Sequence, residues 1–290
     1  MTSLFCFGLG YSAEALARRV RPLNRRVAGT ARTKEGLARL ASLGYDAFLF
    51  DGTAPGVEIA DALADTTHVL VSAGPDQEGD PTLRFHESDL ARAPNLRWIG
   101  YLSTIGVYGN TDGAWIDETA APNPGHERAK RRVAAEDAWL AFGDAHGKRV
   151  QIFRLGGIYG PGRSAFDDLR DGTARRIVKP GQVFNRIHVD DIASVLLAAA
   201  NGAGQHTIYN VTDGTPSPSQ EMIAHAADML GIRPPPEISV EDANLSPMGK
   251  SFYAENRRVA NDRLQSDLGV TLAYPSYREG LAAILANSRS

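Results

Sequence analysis

The sequence predicts an α/β protein built on a doubly wound parallel sheet, with a smaller α+β lobe towards its C-terminus. Three observations carry this. Short apolar runs alternate with longer stretches of helical periodicity through the first 155 of 290 residues. That order favours parallel strands covered on both faces and wound by right-handed crossovers. A glycine-rich segment, Gly8-Leu9-Gly10-Tyr11-Ser12-Ala13, follows the first apolar run directly. Beyond residue 160 the alternation loosens.

Residues 3–8 read as the first strand and 13–20 as the first helix, which Pro22 stops. Residues 26–30 form the second strand. The stretch 34–43 is amphipathic, with Leu37, Leu40 and Leu43 three apart, and Gly44 closes it. Further strands are expected at 47–50, 68–72, 96–102 and 149–155, separated by helices at 56–63, 81–92 and 128–142. Later come a helix at 191–200, a strand at 207–211, a helix at 218–230 ended by Gly231, and a closing helix at 277–287. Residues 1–160 are read as the main domain, with 185–208 returning to it, and most of 161–290 as the lobe.

Composition excludes several classes of function. A net charge of −3 provides no field to recruit nucleic acid or an anionic membrane. The longest apolar run, around residues 195–200, falls far short of a membrane span. One cysteine excludes an intramolecular disulfide, and Cys6 lies in the first apolar run as a small core residue. No early segment reads as a signal peptide, and no cluster has metal-ligand spacing. The expectation is a soluble, cytoplasmic protein that acts on a small molecule.

The segment from Gly8 matches G-x-G-x-x-A between a strand and a helix, which is the context a dinucleotide-binding loop requires. Gly8 allows a tight turn. Gly10 lets a pyrophosphate approach the backbone, and Ala13 keeps the helix close to the sheet. Tyr11, Ser12 and Ala13 then open a helix whose free N–H groups face the phosphates. About 20 residues on, an NAD site usually shows an acid. Here the second strand runs into Ala31-Arg32-Thr33. Arg32 suits a 2′-phosphate, with Thr33 adding a hydroxyl, so NADP is favoured over NAD. Asp51 is placed either to contact the adenine or to cap a turn. Ser72, Ala73 and Gly74, where the fourth strand ends, are expected to border the same ligand.

Together with this loop, several stretches resemble the extended short-chain dehydrogenase/reductase family, in its NAD(P)-dependent epimerase/dehydratase-like branch. They are Tyr101-Leu102-Ser103-Thr104 with Val107-Tyr108-Gly109, the run from Arg154 to Arg163, and Ile187-His188-Val189-Asp190-Asp191. Tyr209-Asn210-Val211-Thr212-Asp213 and Arg258-Val259-Ala260-Asn261 resemble later landmarks. The resemblance implies a Rossmann domain with a C-terminal substrate lobe, and it allows a homodimer. It also implies that Thr104, with Ser103 beside it, polarises the substrate. Gly157 and Ile158 would lie by the nicotinamide, and His188 and Asp190 would be structural.

The family's acid/base signature, Tyr-x-x-x-Lys at the start of the next helix, is absent. Two registers compete. His126-Glu127-Arg128-Ala129-Lys130 supplies His126 and Lys130; counting back from Ala134-Ala135-Glu136 supplies Arg128 and Arg132, and fits the surroundings better. Residues four apart share a helix face in either register. A histidine can move protons near neutral pH. A guanidinium stays protonated and can only donate hydrogen bonds or anchor an anion. Arg163, Arg186 and Arg258 are further candidates for an anionic pocket. The expected function is an NADP-dependent oxidoreductase or epimerase-like enzyme on a small sugar-like or anionic substrate. The missing Tyr leaves a second reading, a catalytically silent NADP(H)-sensing or scaffold protein.

Overall fold

Strand β1 (Ser3–Phe7) has covers on both faces, and its side chains divide between two cores. Leu4 and Cys6 join one core, Phe5 and Phe7 the other. The two-residue period of a strand does this sorting, and burial on both faces is why the run reads as continuously apolar. Burial holds the Cys6 thiol well above its ordinary pKa, as suits an inert core residue. The chain is seen here in a computed structural model that describes residues 3–23 and 25–288.

The main sheet continues with β2 (Arg26–Ala31), β3 (Asp46–Leu49), β4 (His68–Val71) and β5 (Trp98–Thr104). After the two-residue β6 (Trp115–Ile116) come β7 (Arg149–Leu155), β8 (Gly157–Tyr159), β9 (Arg176–Val178), β10 (Arg186–His188), β11 (Ile208–Val211), β12 (Glu237–Ser239) and β13 (Arg258–Val259). Seven strands pair in the order β11-β7-β5-β4-β1-β2-β3, every neighbouring pair parallel. These are the seven strands expected from the sequence, with ends displaced by a residue or two. Strand order reverses direction between β1 and β4. A doubly wound sheet opens its ligand crevice there, outside the carboxyl ends of the strands.

The helices are α1 (Tyr11–Val20), α2 (Lys34–Ser42), α3 (Ile59–Ala64), α4 (Pro81–Arg92), α5 (Glu127–His146), α6 (Ala165–Arg170), α7 (Val189–Ala200), α8 (Ser219–Met229), α9 (Pro247–Ala254), α10 (Asp262–Ser266) and α11 (Tyr277–Asn287). Leu16 and Val20 of α1, Leu40 of α2, and Ile192 and Leu196 of α7 cover one face. Leu63 of α3, Leu90 of α4, and Trp139 and Phe142 of α5 cover the other. The helix expected from residue 56 begins only at Ile59, because Glu58 adopts a left-handed φ of 63°. Helix α5 runs past the expected end at 142 until Gly147, at φ 61°, terminates it.

The chain comes back to the main sheet through α7 and β11, so this return extends to Val211, past the expected 208. Three parallel two-strand pairs, β8–β10, β9–β12 and β6–β13, were not foreseen. Runs of two or three residues carry no readable period. Their partners are also remote: Trp115 pairs with Arg258. A separate core of Tyr159, Phe166, Ile223, Tyr277, Leu281 and Ile284 unites α6, α8 and α11 beside β8. Among the described residues no helix is long and apolar enough to cross a membrane.

Candidate active site

The glycine loop lies at the switch point. Gly8 has φ 81°, and a Cβ there would approach Ala73 N to 3.1 Å, so the turn from β1 into α1, packed against the end of β4, needs glycine. Its N–H donates to Thr30 Oγ1 at 2.7 Å. Gly10 is exposed with open space where a Cβ would stand. It heads α1 without any side-chain cap, which leaves the helix N-terminus to a ligand. Ala13 is fully buried, Ser12 is buried, and the Tyr11 hydroxyl donates to Pro161 O at 3.1 Å. Ser72 and Ala73 both donate backbone N–H groups to Phe7 O, at 2.9 and 3.0 Å. These residues fit a dinucleotide: a tight turn, a bare approach and an uncapped helix.

At the far end of the loop, Arg32 is exposed and makes no hydrogen bond or ion pair among the described residues. Thr33 caps α2, accepting from Gly36 N at 3.1 Å. Asp51 Oδ1 accepts from Thr53 N at 2.9 Å and Thr53 Oγ1 at 2.7 Å, which hold its pKa below the usual carboxylate range. The turn-capping role is therefore filled, and only Oδ2 is left over.

A cavity of about 640 Å³ opens beyond the carboxyl ends of β5 and β7. Thr104 enters it from β5. Its Oγ1 accepts from Gly106 N at 3.1 Å, which leaves the hydroxyl proton to donate inward. Ser103, named beside it as a candidate, does not line the cavity. Neighbouring strand residues face opposite ways, and the buried Ser103 hydroxyl is given to Glu136 Oε1.

Helix α5 decides between the two registers geometrically. Arg128 and Arg132 both line the cavity. Arg132 Nη1 donates to Leu102 O at 2.7 Å and to the Tyr101 hydroxyl at 3.0 Å. Its Nη2 lies 2.8 Å from where a Gly74 Cβ would stand, so the guanidinium spans the ends of β4 and β5. The Arg128 guanidinium lies 5.6 Å from the centre of the Phe252 ring. Lys130 points to solvent and pairs with Glu127 at 2.8 Å, so it takes no part in the cavity. A residue two positions from Arg128 and Arg132 stands on the opposite helix face. His126 borders the cavity but caps the helix, its Nδ1 accepting from Ala129 N at 3.1 Å. While it caps, the neutral ring carries its proton on Nε2 and can donate but not accept.

Gly157 and Ile158 also line the cavity, and Gly157 N donates to Asn185 O at 2.8 Å. Arg163, Arg186 and Arg257 add positive charge. The carboxylate of Glu255 also lines the cavity, and it is already paired with Arg257. Arg258, expected here, turns away and donates to Gly113 O. Arg257 takes its place because adjacent residues of an extended strand alternate in direction.

No family model matches the sequence. The chain is 31% identical over 214 residues to a 3-diazoavenalumate denitrifying reductase from a Streptomyces species, spanning 68% of this chain and 67% of that one. A functionally unknown conserved protein from Silicibacter pomeroyi has the same structure at a TM-score of 0.90, with 44% identity and 99% of each chain covered. A putative NAD-dependent epimerase/dehydratase from Methylobacillus flagellatus superposes at a TM-score of 0.73, with 27% identity over 100% of this chain and 99% of that one. The chain belongs to the NAD(P)-dependent epimerase/dehydratase-like branch of the extended short-chain dehydrogenase/reductases. The twenty residues of α5 contain no tyrosine.

Several residues of the site escaped the sequence. Glu136 and Arg154 form an ion pair at 2.6 Å with side chains 3% and 2% exposed. Arg154 also stacks 4.7 Å over Tyr108, whose hydroxyl donates to Asn210 Oδ1 at 2.8 Å. Through Ser103 this network ties the end of β5, next to Thr104, to α5 and β7. Its one visible signal was Arg154, a charge set between Phe153 and Leu155 in β7. His188 caps α7, accepting from Asp190 N at 3.2 Å. The carboxylate that joins the segments is the neighbouring Asp191, which accepts from Ala273 N and Tyr274 N at 2.8 and 2.9 Å.

Proposed function

We propose that this chain is an NADPH-dependent reductase of a small anionic substrate, with arginines standing where the family places its acid/base pair. The carrying observation is that Thr104 and Arg132 line the same cavity, with the Arg132 guanidinium bound to Leu102 O of β5 and lying against Gly74 beyond the end of β4. The names of the relatives, a reductase and an NAD-dependent epimerase/dehydratase, support a nicotinamide dinucleotide as cofactor. Gly8, Gly10 and the first turn of α1 receive its pyrophosphate, and Gly157 and Ile158 border its reactive ring. Arg32 and Thr33 face the adenosine ribose, where the free guanidinium favours a 2′-phosphate. When bound, the dinucleotide supplies a hydride.

Thr104 donates a hydrogen bond that orients the reacting group. Arg132 and Arg128 hold fixed positive charge against the negative charge that develops there. Neither guanidinium gives up a proton. This suits a substrate that accepts hydride without a side-chain acid, and the diazo compound in the Streptomyces relative's name supports that class. Absence of a tyrosine from α5 also favours a second reading, a protein that binds NADP(H) without turning over.

Fluorescence titration is expected to show saturable NADPH binding at one equivalent per chain. A panel of small carboxylated carbonyl and diazo compounds is then screened for loss of NADPH absorbance. The reductase reading expects loss that Arg132→Met abolishes. Saturable binding with no consumption across the panel assigns the sensor reading, and failure to bind either dinucleotide overturns both.

A further inference from the structure

Arg186 opens β10, and only 6% of its surface is exposed. Nη1 is fully engaged, donating to Phe184 O at 3.1 Å, Ser217 O at 3.0 Å and Ser217 Oγ at 2.7 Å. Nε and Nη2 have no hydrogen-bond partner among the described residues, although Arg186 lines the cavity. No carboxylate among those residues pairs with the guanidinium. Burial pulls its pKa down, and Asp213 opposes that only from a distance. The Asp213 carboxyl is itself pushed up to about 7 by burial, with Oδ2 unpartnered. A guanidinium this deeply desolvated is costly unless an anion completes it.

A second positive pole stands beside it. Helix α8 starts at Ser219, and Pro218 before it provides no side-chain cap. Pro218 follows Ser217, which grips Arg186, so the guanidinium and the helix N-terminus adjoin. The Ser219 and Tyr253 hydroxyls lie 3.0 Å apart, and both residues line the cavity. Glu221, the acid of the first turn, is exposed and is not a lining residue. Met222 and Phe252 supply apolar wall.

We propose that Arg186, the N-terminus of α8 and the Ser219–Tyr253 hydroxyl pair bind a carboxylate of the substrate, whose apolar body lies against Met222 and Phe252. Nε and Nη2 form one edge of the guanidinium, and that edge matches the two oxygens of a planar carboxylate. The word substrate rests on the reductase reading; the carboxylate site itself does not.

The test uses ligand-observed NMR on the intact protein, with and without saturating NADPH. The probes are 4-hydroxybenzoate, its neutral amide and phenyl phosphate. The carboxylate is expected to bind about tenfold more tightly than the amide, the usual worth of charged hydrogen bonds. Arg186→Lys should weaken the carboxylate by about tenfold, through loss of the two-nitrogen edge. The pair Ser219→Ala with Tyr253→Phe, which spares the buried charge, should weaken it severalfold and keeps the test open if Arg186 variants do not fold. NADPH affinity should not change in any of them. Equal binding of acid and amide, tighter binding of phenyl phosphate, no carboxylate binding, or wild-type affinity in the folded variants would each overturn the proposal. Carboxylate binding without NADPH binding would instead overturn the reductase reading and leave this site standing.

Discussion

Ser103 and Thr104 are neighbours that serve opposite sides of the protein: Ser103 gives its hydroxyl to buried Glu136, and Thr104 faces the cavity. Their substitution should separate stability from turnover. Ser103→Ala removes a hydrogen bond to the buried Glu136 carboxylate, leaving its Oε1 with Arg154 Nε at 3.2 Å, and is expected to cost about 1–3 kcal/mol in urea denaturation. Hydride transfer should stay within about twofold of wild type, since no reacting atom is touched. Thr104→Ala should do the reverse, costing little stability and lowering kcat by about 100-fold, as loss of an oxyanion donor does. Equal effects of the two on kcat would return Ser103 to the reacting centre.

The glycine loop makes a conformational prediction. Gly8 combines a φ of 81° with a Cβ position 3.1 Å from Ala73 N. Gly8→Ala should lower stability by at least about 1 kcal/mol, because alanine is strained at that φ. It should also displace the turn and raise the Kd for NADPH by more than about tenfold. Gly10→Ala meets nothing within 4 Å, so its fold should be intact. Its Cβ would occupy the phosphate approach and weaken NADPH alone. Denaturation curves and fluorescence titrations of both variants check this contrast.

The proposed preference for NADPH rests on one exposed side chain, Arg32. Arg32 has no partner to lose among the described residues, so Arg32→Ala should leave Tm within about 1 °C, as for an ordinary surface change. NADPH affinity should fall by about 10- to 100-fold, the worth of a charged phosphate contact, and NADH affinity by less than about threefold. Parallel titrations with the two dinucleotides decide it. Equal losses would remove the 2′-phosphate assignment.

Stability should also depend on pH through Asp213. Its carboxyl is pushed up to about 7 in the folded chain by burial, against about 4 when unfolded. Between those values the native state holds a proton that the unfolded chain has released. Its contribution is therefore complete below about pH 4 and is lost as pH rises through 7. Asp213→Asn keeps an oxygen for Thr215 N, which Asp213 Oδ1 accepts at 3.0 Å, and removes the titration. The variant should gain on wild type between pH 5 and pH 8, by about 2.5 kcal/mol. Urea denaturation at the two pH values measures the difference; parallel pH profiles would disprove it.

Much of the frame was legible in the chain itself. All seven strands of the main sheet could be read because each is a local pattern, an apolar run between helical stretches. The glycine loop was readable for the same reason: strand, turn and helix are consecutive. Tertiary structure alone decided what depends on direction or on distant partners. It turned Arg128 and Arg132 into the cavity and Lys130 out of it. A shift of two residues moves a side chain to the opposite face of a helix, and no local preference resolves that. It chose Arg257 over Arg258 and sent Ser103 inward, since one residue reverses a strand's side chains. It brought Arg186 beside the start of α8, through hydrogen bonds spanning 31 residues. The sequence by itself determined the doubly wound sheet and its glycine loop, which arise from contiguous periodicity. Only packing between remote segments determined which arginines face the cavity.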